Sequence, residues 1–458
     1  MKVIVCGAGQ VGSNIARQLA RENNDVTLID QSPDLVRKIS DELDVRAMVG
    51  HASHPDVLER AGANDADMLI AVTYSDEVNM VACQIAHSLF DIPKKVARIR
   101  SQQYLDPIWA HLFSRENLPI DVITSPEIEV AQAIERRLKV PGAFDTVSFA
   151  DGLVQVIGVR LDESCPILNT PLRQLTELFP DLNFVVVAIY RDDKMIVPSS
   201  DDQMFPGDDV YFAADSNHVE RAMPLFGHEE QEARSIVIVG GGNIGLHLAG
   251  FIEKNMRNVS LKLIEIHRDR AEYILEYLEN TVVLNGDALD PDILHEANVG
   301  RAETVVALTN DDEVNILSSL LAKGQGCETA VTLINNPVFG NLVTSLGIDV
   351  VVDPRATTVS EILRHIRRGR IRGLHSFRDG AAEVVEGEAL ETSQLVGKPL
   401  RDIKLPPGTI IGAIIHGSEV EIPRGDSVIQ TDDRVIILGL RNAVRKIEDM
   451  FSVSLEFF

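Results

Sequence analysis

Apolar residues in this chain come in short runs of strand length. In the first part they fall at roughly 2–6, 26–30, 45–49, 68–72, 96–99 and 121–124, and the segments between them carry helical periodicity. Short apolar strands separated by helices predict a parallel sheet covered on both faces, in a Rossmann-like wrap. A helix follows, beginning near Ser125-Pro126, where Ser before Pro supplies an N-cap and a first turn, with "EIEVAQAIERRLK" as its body. From about residue 144 to about residue 227 period-two alternation takes over, in "TVSFADGLVQVIGVRL", "NFVVVAIYRDDKMIVP" and "DDVYFAA". The turns "ADG" and "RDDK" predict hairpins, and hence a small α+β lobe of about 80 residues.

The succession of patterns then recurs. "GHASHPDVLERAGANDADMLIAVTYSDEVN" (50–79) aligns without a gap on "GDALDPDILHEANVGRAETVVALTNDDEVN" (286–315), placing Pro55 on Pro291 and Thr73 on Thr309. "IDVITSP" (120–126) resembles "IDVVVDP" (348–354), "TPLRQL" (170–175) resembles "KPLRDI" (398–403), and "TTVSEILRHIRRGR" repeats the helix. The repeating unit is therefore about 228 residues long and holds two domains. The expected division is a Rossmann-like lobe at 1–124, a helix at 125–143, a β-rich lobe at 144–227, a charged linker at 228–234, a second Rossmann-like lobe at 235–352, a helix at 353–371 and a second β-rich lobe at 372–458.

Charge removes several classes of function. Lys plus Arg number 43 against 69 Asp plus Glu, a net charge of −26. General nucleic-acid binding needs a basic footprint, and adsorption to an anionic bilayer needs clustered Lys and Arg. No apolar run approaches the roughly 18 residues of a membrane span, and "MKVIVCGAGQ" reads as a short strand rather than a signal peptide. Cys6, Cys83, Cys165 and Cys327 are widely spaced, as expected of reduced, buried thiols rather than metal ligands.

Candidate chemistry lies in two glycine-rich turns, "CGAGQVG" at 6–12 and "VGGGNIG" at 239–245. Each follows a predicted strand and opens a helix, and Gly7, Gly9 and Gly12 match Gly240, Gly242 and Gly245. The first glycine permits a tight turn, the second lets backbone N–H groups approach a pyrophosphate, and the helix N-terminus favours the anion. Asp30 and Glu265 end the next strands, where a carboxylate accepts hydrogen bonds from ribose hydroxyls and disfavours a 2′-phosphate. NAD or an adenine nucleotide is thus favoured over NADP. Arg98 and Arg100, in "KKVARIRS", end the fifth strand, at the edge of a parallel sheet that faces the ligand. The second repeat has Leu333 and Asn335 there, so the two sites are not chemically equal.

Other constellations are weaker. Tyr190 and Lys194 have the spacing of a short-chain dehydrogenase pair, but "YRDDK" reads as a turn between strands, not the helix that chemistry needs. His51 and His54 lack a further ligand cluster, and the run Arg364, Arg367, Arg368, Arg370, Arg372 reads as a solvated helix end or a contact to an acidic partner.

Two Rossmann-like lobes with "GAGQVG" and "GGGNIG", acidic strand ends and an "AVT/ALT…DEVN" segment, each followed by a small β-rich lobe, resemble the TrkA family, in which two RCK (regulator of potassium conductance) units stand in tandem. The resemblance covers the whole chain. It implies RCK N-lobes that bind NAD+/NADH or ATP/ADP, no enzymatic activity, and assembly into a ring, a homotetramer, beneath a membrane-embedded potassium-translocating subunit, TrkH. It places the protein on the cytoplasmic side of the bacterial inner membrane through that partner, without direct lipid insertion. Carried over by position, one site would use Gly7, Ala8, Gly9, Gln10, Val11, Asp30, Thr73, Tyr74 and Arg98. The other would use Gly240, Gly241, Gly242, Asn243, Ile244, Glu265 and Thr309. The rival readings are an NAD-dependent oxidoreductase with a duplicated fold and an RCK regulator of another cation transporter. The acidic surface gives a first test: flotation with protein-free anionic liposomes is expected to leave the chain unbound, and strong binding would contradict this reading of the charge.

Overall fold

The computed structural model describes residues 1–21, 23–179, 181–229, 232–366, 371–378 and 380–451. Its first lobe is β1 (Lys2–Cys6), α1 (Gln10–Arg21), β2 (Asp25–Asp30), α2 (Pro33–Glu42), β3 (Arg46–Val49), α3 (Pro55–Arg60), β4 (Met68–Ala71), α4 (Asp76–Phe90), β5 (Lys94–Arg98), α5 (Gln102–Leu105) and β6 (Val122–Thr124). All strand pairs are parallel and the order is β3-β2-β1-β4-β5-β6. That order reverses direction beside β1, which opens a crevice at the carboxyl ends of β1 and β4. The helices start and stop as their ends dictate. Ser32 caps α2 ahead of Pro33, Ser75 caps α4 by accepting from the Val78 N–H, and Asp91 ends α4 in the left-handed conformation.

Helix α6 (Pro126–Leu138) leads into β7 (Ala143–Phe149), β8 (Val154–Arg160), α7 (Leu172–Leu178), β9 (Phe184–Arg191), β10 (Lys194–Ile196), β11 (Asp209–Asp215) and α8 (Val219–Ala222). This lobe is an antiparallel sheet of order β10-β9-β11-β8-β7. The second repeat reproduces both patterns. Its parallel lobe holds β12 (Ser235–Val239), α9 (Asn243–Asn255), β13 (Ser260–Glu265), α10 (Arg268–Leu275), β14 (Val282–Asn285), α11 (Pro291–Glu296), β15 (Thr304–Ala307), α12 (Asp312–Gln325), β16 (Thr329–Leu333), α13 (Gly340–Ser345) and β17 (Val350–Val352), in the order β14-β13-β12-β15-β16-β17. Helix α14 (Pro354–Ile366) precedes β18 (Ile371–Phe377), β19 (Ala382–Glu388), β20 (Thr409–His416), β21 (Glu419–Glu421), β22 (Arg434–Leu440) and α15 (Val444–Met450). The sheet order β18-β19-β22-β20-β21 is that of the first β-rich lobe read from the other edge. The expected class, two Rossmann-like lobes each followed by a small β-rich lobe, is the class observed.

Two details differ from expectation. Strand β5 begins at Lys94, so Arg98 is its last residue and Arg100 lies beyond it. Ser125 supplies no side-chain cap to α6: its buried hydroxyl has no hydrogen-bond partner among the described residues, and its carbonyl accepts from the first turn. Asp353, with a longer reach and two oxygens, does cap α14, accepting from the Arg355 N–H at 2.8 Å. Of the basic run, Arg367, Arg368 and Arg370 lie outside the described residues, while Arg372 pairs with Glu388 through its Nε at 2.9 Å.

The chain forms two compact units. One is Met1–Val130 with Asp353–His365, and the other is Ala131–Val352 with Ile366–Phe458. The second unit contains both β-rich lobes, which share one core: Phe149, Val156, Val187 and Tyr211 cluster with Phe377, Val384, Ile415 and Leu438. Ion pairs cross the same junction. Buried Asp209 accepts from Arg160 of its own lobe at 2.6 and 2.9 Å and from Arg378 of the other. Arg434, which holds the position of Asp209 in the second lobe, donates to Glu386 of its own lobe and to Asp151 of the first, each at 2.5 Å.

A further charge differs between the repeats. In the first β-rich lobe Arg191 donates to Asp208 at 2.7 and 2.6 Å. The corresponding pair in the second is His416 Nδ1 to Asp433 at 2.8 Å, with Nε2 3.0 Å from Glu421. Burial opposes the imidazolium, but Glu421 and Asp433 outweigh it and raise its pKa above the usual histidine value. A raised folded-state pKa stabilises fully below the unfolded pKa, and that contribution is lost as pH rises through the folded one. His416→Gln is therefore expected to lower the melting temperature at about pH 6, with the gap to the parent closing by about pH 9. A pH-independent gap would contradict the assignment.

Candidate functional site

In the first parallel lobe β1 delivers Gly7 at φ +109°, in the left-handed region. A Cβ there would sit 3.0 Å from the Val72 carbonyl oxygen and 3.1 Å from the Thr73 Cα. At Gly12, inside α1, a Cβ would lie 1.9 Å from the Gly7 carbonyl oxygen. Glycine at both positions is what lets the helix stand directly on the turn that starts it. Gly9, between them, is exposed and has nothing within 4 Å of its missing Cβ, so the turn's backbone stays open. The second turn repeats this: Gly240 has φ +101°, a Cβ on Gly245 would lie 2.0 Å from the Gly240 carbonyl oxygen, and Gly242 is open.

The strand ends converge on these turns. Asp30 accepts from the Ala8 N–H at 2.6 Å through one oxygen and from the Ser32 N–H at 2.8 Å through the other. A carboxylate has about four acceptor positions, so half-buried Asp30 keeps capacity for ribose hydroxyls. Glu265 makes the same pair, with the Gly241 and His267 N–H groups, both at 2.8 Å, but it is buried. Gln10 and Val11 form the first turn of α1; Gln10 is exposed and Val11 is packed inward, leaving only its backbone for a ligand. Asn243 and Ile244 hold the same places in α9.

Thr73 follows β4 and is fixed by a buried amide. Asn79 Oδ1 accepts from the Thr73 N–H at 2.9 Å and from its hydroxyl at 2.7 Å, while Asn79 Nδ2 donates to the carbonyls of Thr73 at 3.3 Å and Arg98 at 2.9 Å. Asn315 does the same for Thr309 and Leu333. Asp76 accepts from the N–H groups of Arg100 and Ser101, and Asp312 from those of Asn335 and Asn336. The "DEVN" segment thus ties the ends of the fourth and fifth strands together in both repeats, a role that its recurrence alone did not reveal.

Arg98 and Arg100 part company. Arg100 donates to buried Glu127 at 2.9 Å and lies 5.6 Å from the ring centroid of Tyr74, which is 87% exposed. Arg98 is half-buried, its Nε has no hydrogen-bond partner among the described residues, and desolvation together with Arg100 pushes its pKa down against the pull of Glu127 and Asp76. A desolvated guanidinium short of acceptors suits an incoming anion. In the second lobe Leu333 is buried where Arg98 stands. That lobe carries instead a cation the sequence reading missed. Arg270, on α10, donates through Nε to the Gly241 carbonyl at 2.7 Å and through Nη2 to Asn243 Oδ1 at 3.2 Å, and lies 4.8 Å from the ring centroid of Tyr273. Its place five residues beyond Glu265 was the available signal.

Of the remaining constellations, Tyr190 and Lys194 belong to the β-rich lobe, whereas His51 follows Gly50, whose N–H donates to the Asp30 carbonyl at 2.9 Å. Tyr190 and Lys194 lie on the antiparallel pair β9 and β10, and the Tyr190 hydroxyl donates to Asp193. His51 and His54 stack at 4.7 Å between ring centroids, and the described residues contain no group of three or more His, Cys, Asp or Glu arranged for a metal. Burial pushes the Cys6 thiol up to about 12, which leaves it unreactive near neutrality.

A family model of the TrkA-N domain matches residues 3–126 and 236–354, and one of the TrkA-C domain matches 156–227 and 384–452. The Trk system potassium uptake protein TrkA of Azorhizobium caulinodans is 54% identical over 458 residues, which is 100% of both chains. The chain belongs to the TrkA family. Among solved structures it is similar to the GsuK RCK domain (TM-score 0.60, 17% identity, 98% of this chain and 94% of that one) and to the GsuK channel bound to NAD (TM-score 0.59, 17% identity, 98% and 78%). At that identity the likeness is one of fold. The TrkA-N matches span the two parallel lobes, and the TrkA-C matches cover most of the two β-rich lobes. No helix among the described residues of this TrkA-family chain is long and apolar enough to cross a membrane.

The amide clip makes a prediction. Asn79→Ala leaves several buried polar groups of the turn unsatisfied and is expected to cost at least about 2 kcal/mol, read from the denaturant midpoint. Asn315→Ala is expected to cost a similar amount, while Gly9→Ala, facing open space, stays within about 0.5 kcal/mol of the parent.

Proposed function

We propose that the chain is a nucleotide-binding regulatory subunit of Trk-type potassium uptake, a switch rather than a catalyst. The observation that carries this reading is the open turn at Gly9, whose Ala8 N–H is held by Asp30, in a lobe whose fifth strand ends at half-buried Arg98 with an Nε that has no partner among the described residues. This arrangement supplies backbone donors for a pyrophosphate, an acceptor for a ribose and a cation for further phosphates. The A. caulinodans relative is named for potassium uptake and the GsuK channel is described as bound to NAD, which supports NAD(H) as ligand, with ATP or ADP competing at the same turn.

The partner in this reading is a TrkH-like membrane subunit, reached from the cytoplasmic side through protein contact. Assembly of copies, which the family resemblance makes a tetramer, is supported by exposed apolar residues on corresponding helices of the two repeats, Val81 and Leu89 on α4 and Leu317 and Leu321 on α12. Nucleotide binding then biases the ring between two states. Each site contributes about 1–3 kcal/mol of coupling, so several are needed to approach the ~5.5 kcal/mol of a full swing. A duplicated turn multiplies the sites without lengthening the ring.

The test is calorimetry with NAD, NADH, ATP and ADP on the full chain. Asp30→Ala is expected to weaken the tighter site by about 10- to 150-fold, the value of a hydrogen bond to a charged group. Glu265→Ala is expected to alter a weaker or differently selective site. Equal losses from both, or none from Asp30→Ala, would overturn the ranking of the sites.

A further inference from the structure

The two turns share a feature that neither the glycines nor the strand-end acids explain. The first residue of each helix carries a side-chain amide, Gln10 in α1 and Asn243 in α9, and each amide oxygen accepts from a guanidinium. Arg270 Nη2 lies 3.2 Å from Asn243 Oδ1, and Arg355 Nη1 lies 3.3 Å from Gln10 Oε1. The two arginines do not correspond in the repeat. Arg270 belongs to α10 of its own lobe, and the first lobe has exposed Leu35 in that place. Arg355 belongs to α14, which follows the second lobe in sequence and joins the first lobe's compact unit. The corresponding residue on α6 is the acidic Glu127. Two unrelated positions thus bring the same group to the same point of the two turns, beside the open Gly9 and Gly242.

The Arg355 side chain is only 11% exposed, and its Nε donates to Asp353, 41% exposed, at 3.2 Å. Burying a guanidinium beside one half-exposed carboxylate is costly in isolation, and a phosphate at the turn would offset that cost with a planar, charge-assisted contact. Gln10 and Asn243 hold the fork in place while leaving N–H groups for the ligand.

We propose that Arg355, in addition to Arg98, contacts phosphate at the first turn and Arg270 at the second, and that only at the first does the bound phosphate engage a helix from the other repeat, so that α14 reads its occupancy. This rests on the nucleotide reading above. Helix α14 precedes β18, the first strand of the second β-rich lobe, so charge at the first turn acts on the segment that enters that lobe. Charge at the second turn acts within its own lobe.

The full chain is titrated with ADP, and with adenosine by competition, and hydrogen exchange is followed in peptides covering 354–366. Arg355→Gln is expected to lower ADP affinity at one class of site by about 10-fold or more while leaving adenosine unchanged, and Arg355→Lys to recover part of the loss. ADP is expected to slow exchange in α14 of the parent and of Arg270→Gln, and not of Arg355→Gln. Arg270→Gln lowers the other class of site. Parent-like ADP binding by Arg355→Gln, a parallel fall for adenosine, or loss of α14 protection in Arg270→Gln would overturn the assignment with the nucleotide reading intact. If the parent chain binds neither ADP nor adenosine, the nucleotide reading itself fails and the assignment falls with it.

Discussion

Both parallel lobes depend on a helix standing in direct contact with the turn that begins it. The 1.9 Å separation between a notional Gly12 Cβ and the Gly7 carbonyl leaves no room for any side chain. Because the helix can close to that distance, its N-terminal donors face the strand ends, the Ala8 N–H reaches Asp30, and Gly7 abuts Thr73. The buried amides Asn79 and Asn315 then fix the far wall, each joining the end of one strand to the end of the next. The candidate site is thus mostly backbone, positioned by what two residues lack.

That architecture was legible because its signals are local. Glycine spacing, a strand before and a helix after, an acid at the next strand end and a gapless thirty-residue repeat are all visible without knowing what touches what. The strand β5 boundary was less visible because Lys95, a residue type that signals surface, is buried with its ammonium 2.8 Å from Asp121. Arg100 looked equivalent to Arg98 by position, yet Glu127 holds it, and that partner sits on α6, beyond α5 and β6. Arg355 meets Gln10 across 345 positions of sequence, a pairing that no spacing rule reaches. Asn79 lay inside a repeated motif whose purpose appeared only when its four hydrogen bonds could be traced.

The repeats keep their skeleton and exchange their charges. Arg98 gives way to Leu333, Leu35 to Arg270, Glu127 to Arg355, and the Arg191–Asp208 pair to a titratable His416–Asp433 pair. The turn glycines and amide clips are retained because the backbone geometry demands them in both copies. Charged side chains at the rims are free to diverge. Duplication has in this way yielded two lobes of one shape with different electrostatic demands on a ligand.

The β-rich lobes carry a different consequence. Their shared core and the crossing pairs Asp209–Arg378 and Arg434–Asp151 make a two-lobe interface whose halves are covalently joined. Separate subunits building such an interface would obey mass action and part on dilution. Here the chain joins the two lobes through the second parallel lobe and α14, so their association is intramolecular and independent of protein concentration. The pair therefore persists at whatever abundance the cell maintains, and expression level ceases to govern whether this half of the molecule is assembled.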